Sequence, residues 1–349
     1  MVVDVHSHLY PRRYIDLLRA RTDVPLITGD PGQERFVIFD HEKASHTGRP
    51  IGSTYWDVPE KLAFMDLHGI DQSVISIGNP WLDPIEPDQS LDVARQLNFD
   101  LASLEDETGG RLCALGVLPT GHVSDAVAVA AEVARQPGLH GLVTGTRPCG
   151  RALDDTELDP LWEVLDAEGL PVFLHPHYGA GMADLGGSGH ALPVGIAFPL
   201  ETTIALARLV FSGVLRRFPN VKLMAAHGGG TVPYLAGRLD AAWRSDSSMH
   251  GRLPVAPSTD LSKIAGDAVL YHPRAMRAAA DLFGTSMLMF GTDHPFSVSD
   301  PVTNLAAARA AFAGDELTNV MSRAAQSFFA LPDVQSRSTV GPTQTGEKS

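Results

Sequence analysis

Cysteine is nearly absent: Cys113 and Cys149 are the only two in 349 residues. One such pair can build neither a disulfide framework nor a thiolate cage for a metal, and a reducing cytoplasm is the expected compartment. Long apolar runs are missing too. No uninterrupted stretch approaches the roughly 20 residues that span a bilayer, and the opening MVVDVHSH carries Asp4 where a signal peptide would keep an apolar core. Positive charge is scarce: 27 Lys and Arg stand against 41 Asp and Glu, a formal net charge of −14. That balance argues against nucleic acid or an anionic membrane as partner, since both need a basic surface. It permits a small anionic substrate, because a few arginines inside a pocket outweigh the global sign.

Apolar material is ample, at 44% hydrophobic against 19% charged residues, enough for a sizeable core. A unit recurs along the chain: amphipathic helix, Gly or Pro stop, short apolar strand. VPEKLAFMDLHG stops at Gly69 before SVISI, and LDPLWEVLDAEG stops at Gly169 before PVFLH. Pro early and Gly just past the end are the expected helix punctuation. A third copy runs from ETTIALARLVFSGVLRRF to a stop at Pro219, ahead of VKLMAAH.

Strands read this way fall at 2–5, 73–77, 112–117, 140–144, 171–175, 221–226, 267–271 and 287–291. Short apolar strands alternating with helices imply a parallel sheet buried on both faces, and eight of them imply an α/β fold closed into a (β/α)8 TIM barrel. An open doubly wound sheet would favour a Gly-rich phosphate turn after the first strand, and HSHLYP is nothing like one. Residues 1–330 form a single barrel domain in this reading. Within it, 9–57 are an insertion after the first strand, expected as a small helix and hairpin on the catalytic face and a candidate lid. Residues 331–349 are a polar tail.

The chemistry gathers at strand ends. His6 and His8 are two apart, which puts both imidazoles on one face of the first strand. His175 ends the fifth strand, His227 the sixth and Asp293 the eighth. A barrel brings those ends together, and imidazoles with one carboxylate suit Zn²⁺ or a similar divalent ion with open positions. His177, two beyond His175, competes as a ligand or contacts substrate. His175 ranks first because it lies nearer the strand end. Alternation sends His294 the other way, so it is read as structural, while His41, His46, His122 and His250 lie in loops or at helix ends. No lysine ends the fourth strand, HGLVTGT, to bridge a second ion, so one metal suffices.

DVHSH, FLHPH, AHGGG and GTDHPF, in that order, resemble the amidohydrolase-superfamily decarboxylases of the aminocarboxymuconate semialdehyde decarboxylase family, and FPLETTIALARLVFSGVL is similar to that family's signature. The resemblance covers roughly residues 2–330. Within it, YPRRYIDLLRAR, SVISIGNPW, FLHPHYG and ALPVGIAFPLETTIA look most like the isoorotate (5-carboxyuracil) decarboxylase branch. Val194 and the second histidine of HPH, where the muconate enzyme has tryptophans, also fit that branch better.

The resemblance implies that His6, His8, His175 and Asp293 bind one divalent metal, zinc first and manganese as the alternative, with His227 beside the site. It also implies that Arg49 binds a carboxylate, that Asn79 and Phe198 line a pyrimidine pocket, and that Arg238 reaches across a homodimer interface. Without it, Arg49 reads as a solvated loop arginine, Asn79 as a turn residue, Phe198 as core and Arg238 as a surface ion-pair partner.

The reaction expected is non-oxidative loss of CO₂ from a planar or unsaturated acid with an adjacent oxygen. Asp293 would serve as proton donor and His227 as its helper. 5-Carboxyuracil is the first candidate substrate, and salicylate-type acids offer a similar chelating edge. The same ligands suit a metal-dependent hydrolase or hydratase, and a barrel that binds metal without catalysis is the reading from a different class.

Overall fold

The computed structural model describes residues 1–45, 48–185 and 191–334. In chain order, β1 (Val3–His8) is followed by three short strands of the insertion, β2 (Leu26–Thr28), β3 (Arg35–Val37) and β4 (Arg49–Pro50). Then come β5 (Gln72–Ser76), β6 (Leu112–Val117), β7 (Leu139–Thr144), β8 (Pro171–Leu174), β9 (Lys222–Ala225), β10 (Ala265–Asp267) and β11 (Leu288–Met289). β1 and β5 to β11 lie side by side in sequence order in one eight-stranded sheet. The sheet closes on itself. Val5 N donates to Phe290 O at 2.9 Å and His8 N to His294 O at 2.7 Å, and Ser7 bridges His294 in parallel. The expected (β/α)8 barrel is the fold, with helices between consecutive strands.

Helix punctuation works as the sequence suggests. Helix Val58–His68 starts with the Asp57 side chain accepting from Glu60 N and ends on Gly69 at φ 67°. Helix Asp159–Glu168 ends on Gly169 at φ 58°, the left-handed conformation that glycine adopts without Cβ strain. The third helix differs from expectation. Phe198–Ser212 stops at Gly213, φ 75°, and a separate turn, Val214–Arg217, carries the chain to Pro219.

The alternation of β1 is broken by a bulge: Asp4 pairs with Ser73 but Ser7 with Ile75. One extra residue shifts the inside–outside pattern. Val3 and Val5 pack in one buried cluster with Val74, Leu115, Val143, Phe173, Met224 and Met289, and beyond the bulge His6 meets the Phe173 ring at 4.9 Å. Burying each such aliphatic or aromatic side chain contributes about 1.5–3 kcal/mol. Ser7, by contrast, turns outward to the Lys61 ammonium at 2.8 Å.

One expectation needs correction and another is extended. The seventh strand is 265–267, not 267–271, so Asp267 ends it instead of opening it. The insertion holds the expected helix, Arg12–Arg19, and hairpin, β2-β3, and adds to them a third antiparallel strand, β4, and helix Asp40–Ser45. Tyr14, Ile15, Leu18, Ile27, Phe36 and Ile51 from this segment join the buried cluster of the barrel strands, which makes it a packed wall of the site.

One helical stretch, Pro193–Ser212, is long and apolar enough by length and composition to cross a membrane. Its Thr202, Ala205, Leu206 and Leu209 are buried on the barrel. Of the polar tail, residues 335–349 fall outside the described residues, as do His46 and residues 186–190.

Candidate metal centre

Five side chains meet at the C-terminal mouth of the barrel. The His6 ring lies 5.1 Å from that of His8, 5.2 Å from His175 and 5.1 Å from His227, centroid to centroid. Asp293 Oδ1 is 3.3 Å from His6 Nε2 and 3.4 Å from His8 Nε2, and its Oδ2 is 3.7 Å from His227 Nε2.

Hydrogen bonds on the far side of two rings aim the near nitrogens inward. His6 Nδ1 donates to Asp267 Oδ2 at 2.6 Å and His175 Nδ1 donates to Pro176 O at 2.8 Å. Each ring is thereby locked with Nε2 unprotonated toward the centre when neutral, the outer contact that orients a metal-ligating imidazole. Ser76 Oγ sits 3.3 Å from His8 Nδ1. His6 Nε2, His8 Nε2 and Asp293 Oδ1 are buried and make no hydrogen bond. Buried polar atoms without partners are costly, and a divalent cation bound there would satisfy all three. The residues present fit such an ion.

The electrostatics agree. Burial pushes the His8 imidazole down to about 4 and holds His175 well below its usual range, so both rings are neutral, as ligation requires. Burial would depress His6 as well, but the carboxylates of Asp293 and Asp267 outweigh it and raise His6 to about 10. Burial alone would raise Asp293, yet the His6 charge and the surrounding histidines hold it well below the carboxylate range. Two buried carboxylates thus compete for one positive charge, the place a cation would take.

The substrate residues expected from sequence are scattered differently. Arg49, half-buried on β4, has Nε and Nη2 without hydrogen-bond partners among the described residues, and its guanidinium lies 4.6 Å over the Phe296 ring, which also meets the His8 ring at 4.8 Å and the Tyr55 ring at 5.8 Å. It therefore faces the metal group across one aromatic ring. Asn79 is buried and donates Nδ2 to His177 O at 2.5 Å, tying the loops after β5 and β8 together. Phe198 opens its helix half-buried; a Cβ on Gly179 would stand 3.3 Å from its Cδ1. His177 is not gathered with the five. Its Nε2 donates to Asp83 Oδ2 at 2.5 Å, and its ring stands edge-on to Trp81 at 4.9 Å. Arg238 is exposed on helix Val232–Ser245. The His294 ring is stacked 3.6 Å from that of Phe64, and its Nδ1 meets Lys61 Nζ at 2.6 Å.

Three contributors escaped the sequence reading. Asp267 accepts from His6 Nδ1 and from the backbone of His227 at 3.0 Å, Gly228 at 3.1 Å and Val269 at 3.0 Å. Glu201 accepts from the backbone of His177 at 3.0 Å, Tyr178 at 3.1 Å and Gly179 at 2.5 Å, which shapes the loop after β8. Tyr10 is buried with its hydroxyl unpartnered. The Gly78 position measures how close that hydroxyl comes: a Cβ there would stand 2.7 Å from Tyr10 Oη, 3.1 Å from Phe296 Cζ and 3.5 Å from His8 Nδ1.

The amidohydrolase family model matches residues 3–330. Among solved structures, the apo IDCase (isoorotate decarboxylase) of Metarhizium anisopliae is 33% identical, with a TM-score of 0.89 over 96% of this chain and 98% of that one. The 2-amino-3-carboxymuconate-6-semialdehyde decarboxylase of Dictyostelium discoideum is 27% identical over 313 residues, 86% of this chain and 83% of its own. A dihydroxybenzoic acid decarboxylase from Polaromonas, solved with bound manganese and 2-nitroresorcinol, shares the fold at 18% identity, with a TM-score of 0.76 over 94% and 96% of the two chains. The chain belongs to the amidohydrolase family, among relatives named as decarboxylases.

Proposed function

We propose that this protein is a metal-dependent, non-oxidative decarboxylase of a planar ring acid carrying an oxygen beside its carboxylate, with 5-carboxyuracil as the first candidate. The observation that carries the proposal is the pairing of two unfilled demands in one pocket. One is a nest of buried His and Asp atoms without hydrogen-bond partners, and the other is half-buried Arg49, whose Nε and Nη2 have no hydrogen-bond partner among the described residues. A chelating carboxylate bound to a metal answers both.

His6, His8, His175 and Asp293 would hold the ion, with His227 beside it. Three imidazoles and a carboxylate suit zinc, and manganese is the alternative, as in the Polaromonas relative. A divalent ion in that place supplies Lewis acidity toward the carboxylate and its neighbouring oxygen. The protein's own part is positioning and proton delivery. Arg49 holds the anionic substrate through charge-assisted hydrogen bonds, and Asn79 and Phe198 border the ring.

Chemically, a proton adds to the ring carbon that bears the carboxylate. The bond to the carboxylate then breaks, its electron pair restores the ring double bond, and CO₂ leaves. The net change is one carboxylate and one proton converted to one C–H and CO₂, with no redox partner. Asp293 is the donor in this reading. His227, with Nε2 3.7 Å from Asp293 Oδ2, is the group placed to pass it a proton.

We further assign the protein as a homodimer. Leu192, Ile196, Leu200 and Ile204 recur every four residues along one helical stretch and are 39%, 42%, 38% and 53% exposed. The adjacent helix presents Tyr234, 87% exposed, one turn before Arg238. An apolar stripe of this kind fits a self-complementary interface, and sedimentation of the wild type against Ile204→Glu tests it.

The functional reading is tested by measuring CO₂ release from 5-carboxyuracil, gamma-resorcylate and 5-carboxyvanillate with metal-loaded protein. Release fastest from 5-carboxyuracil is expected. Release from a benzoate alone would move the substrate class, and an acid–amine or acid–alcohol product pair without CO₂ would replace decarboxylation by hydrolysis.

A further inference from the structure

Lys61 is wholly buried, at 0% exposure, on helix Val58–His68 behind the barrel wall. A lysine goes fully inside only when its charge is matched and its donors are used. Lys61 Nζ donates to Ser7 Oγ at 2.8 Å, to His294 Nδ1 at 2.6 Å and to His294 O at 3.4 Å. Three N–H donors meet three acceptors; burial lowers the pKa of the Lys61 ammonium, and the nearby Asp4 carboxylate offsets part of that fall.

The identity of the acceptors is what matters. Ser7 separates His6 from His8 in β1, and His294 follows Asp293 at the opposite edge of the seam that closes the barrel. Asp293 has φ 60°, a left-handed conformation that costs a non-glycine residue and persists only where its surroundings hold it. The backbone there is clamped from both sides: Asp293 N donates to His6 O at 2.7 Å and His8 N to His294 O at 2.7 Å. The same helix supports the His294 ring through Phe64, stacked at 3.6 Å. On the other flank Thr292 donates N and Oγ1 to Asp4 at 3.0 and 2.6 Å.

We propose that Lys61 is a positioning residue for the metal centre, fixing Asp293 against His6 and His8 by joining the residue between the two histidines to the residue after the aspartate. The proposal rests on the metal-centre reading above. It goes beyond it by assigning a function to a side chain that touches neither metal nor substrate.

The test compares Lys61→Met, which keeps the stem and removes the donors, with wild type. Two readouts are taken on the same samples: Co²⁺ affinity by chelator competition with the ligand-field spectrum of the bound ion, and thermal stability. The expected result is a folded variant with Co²⁺ affinity lowered about tenfold or more, within the range seen when outer-shell partners of ligands are removed, and with an altered spectrum. Unchanged affinity and spectrum, whatever happens to stability, overturn the proposal and leave Lys61 a packing element. Should Lys61→Met not fold, Lys61→Gln, which keeps one short donor, is judged by the same two outcomes. Failure of the wild type itself to bind Co²⁺ would instead overturn the metal-centre reading, so the two failures are distinguishable.

Discussion

Asp267 accepts the Nδ1 proton of His6 at 2.6 Å, with both side chains fully buried. This contact fixes the His6 ring in one orientation and, when neutral, in one tautomer. Asp267→Asn keeps the size and loses the charge, so it is expected to weaken divalent-ion affinity by about 10–100-fold in a protein that still folds. Chelator-competition titration checks this, and wild-type affinity would remove Asp267 from the metal centre.

Arg49 predicts a split between stability and catalysis. Its Nε and Nη2 are unpaired among the described residues and its guanidinium only stacks on Phe36 and Phe296, so an apolar side chain of similar length should not cost the free protein stability, since a desolvated charge without an anion is unfavourable. Arg49→Met is therefore expected to melt at or above the wild-type temperature while kcat/KM falls about 100-fold, the scale of a charged hydrogen bond in the bound state. Calorimetry and steady-state kinetics on one preparation decide it. A lower melting temperature with unchanged kcat/KM would make Arg49 structural.

The Tyr10 hydroxyl is also buried without a hydrogen-bond partner among the described residues. Tyr10→Phe is expected to leave stability unchanged and to lower kcat/KM about tenfold. Gly78→Ala should also lower activity, because its Cβ would stand 2.7 Å from Tyr10 Oη, and the loss should shrink when Tyr10 is already Phe. Measured in the four-protein cycle, strict additivity would refute the contact.

Metal removal should act on both activity and stability. If the ion binds only the folded chain, loading at a free concentration 100 times Kd adds about 2.7 kcal/mol of stability. Differential scanning of chelated and reloaded protein is expected to reveal a reversible rise in melting temperature together with return of activity. Full activity after exhaustive chelation would contradict the account.

The legible part of the sequence was the periodic part. Gly69 and Gly169 end helices because only a left-handed residue turns the chain there, and strand-end histidines converge because a parallel barrel leaves them no other place. What escaped is what periodicity does not encode. Asp267 looked like a polar strand start, since nothing local announces that three backbone amides and an imidazole wait to pair with it. Lys61 sits in an amphipathic helix where a lysine normally faces water. Its burial depends on Ser7 and His294, 54 and 233 residues away. Glu201 reads as the polar side of a helix, and its role depends on amides of the loop after β8. The hairpin β2-β3 was expected, but its third strand β4 was not, because a strand of two residues carries no alternation to see.

The central claim is that a proton replaces CO₂ on a ring carbon in a metal-bound acid. Turnover of 5-carboxyuracil by metal-loaded protein in D₂O tests it most directly, with CO₂ counted against product and the product read by mass spectrometry and NMR. The account predicts one CO₂ per uracil and a single deuterium at the carbon that bore the carboxylate, with both lost in Asp293→Asn. A product that keeps its carboxylate, or wild-type turnover by Asp293→Asn, would contradict it.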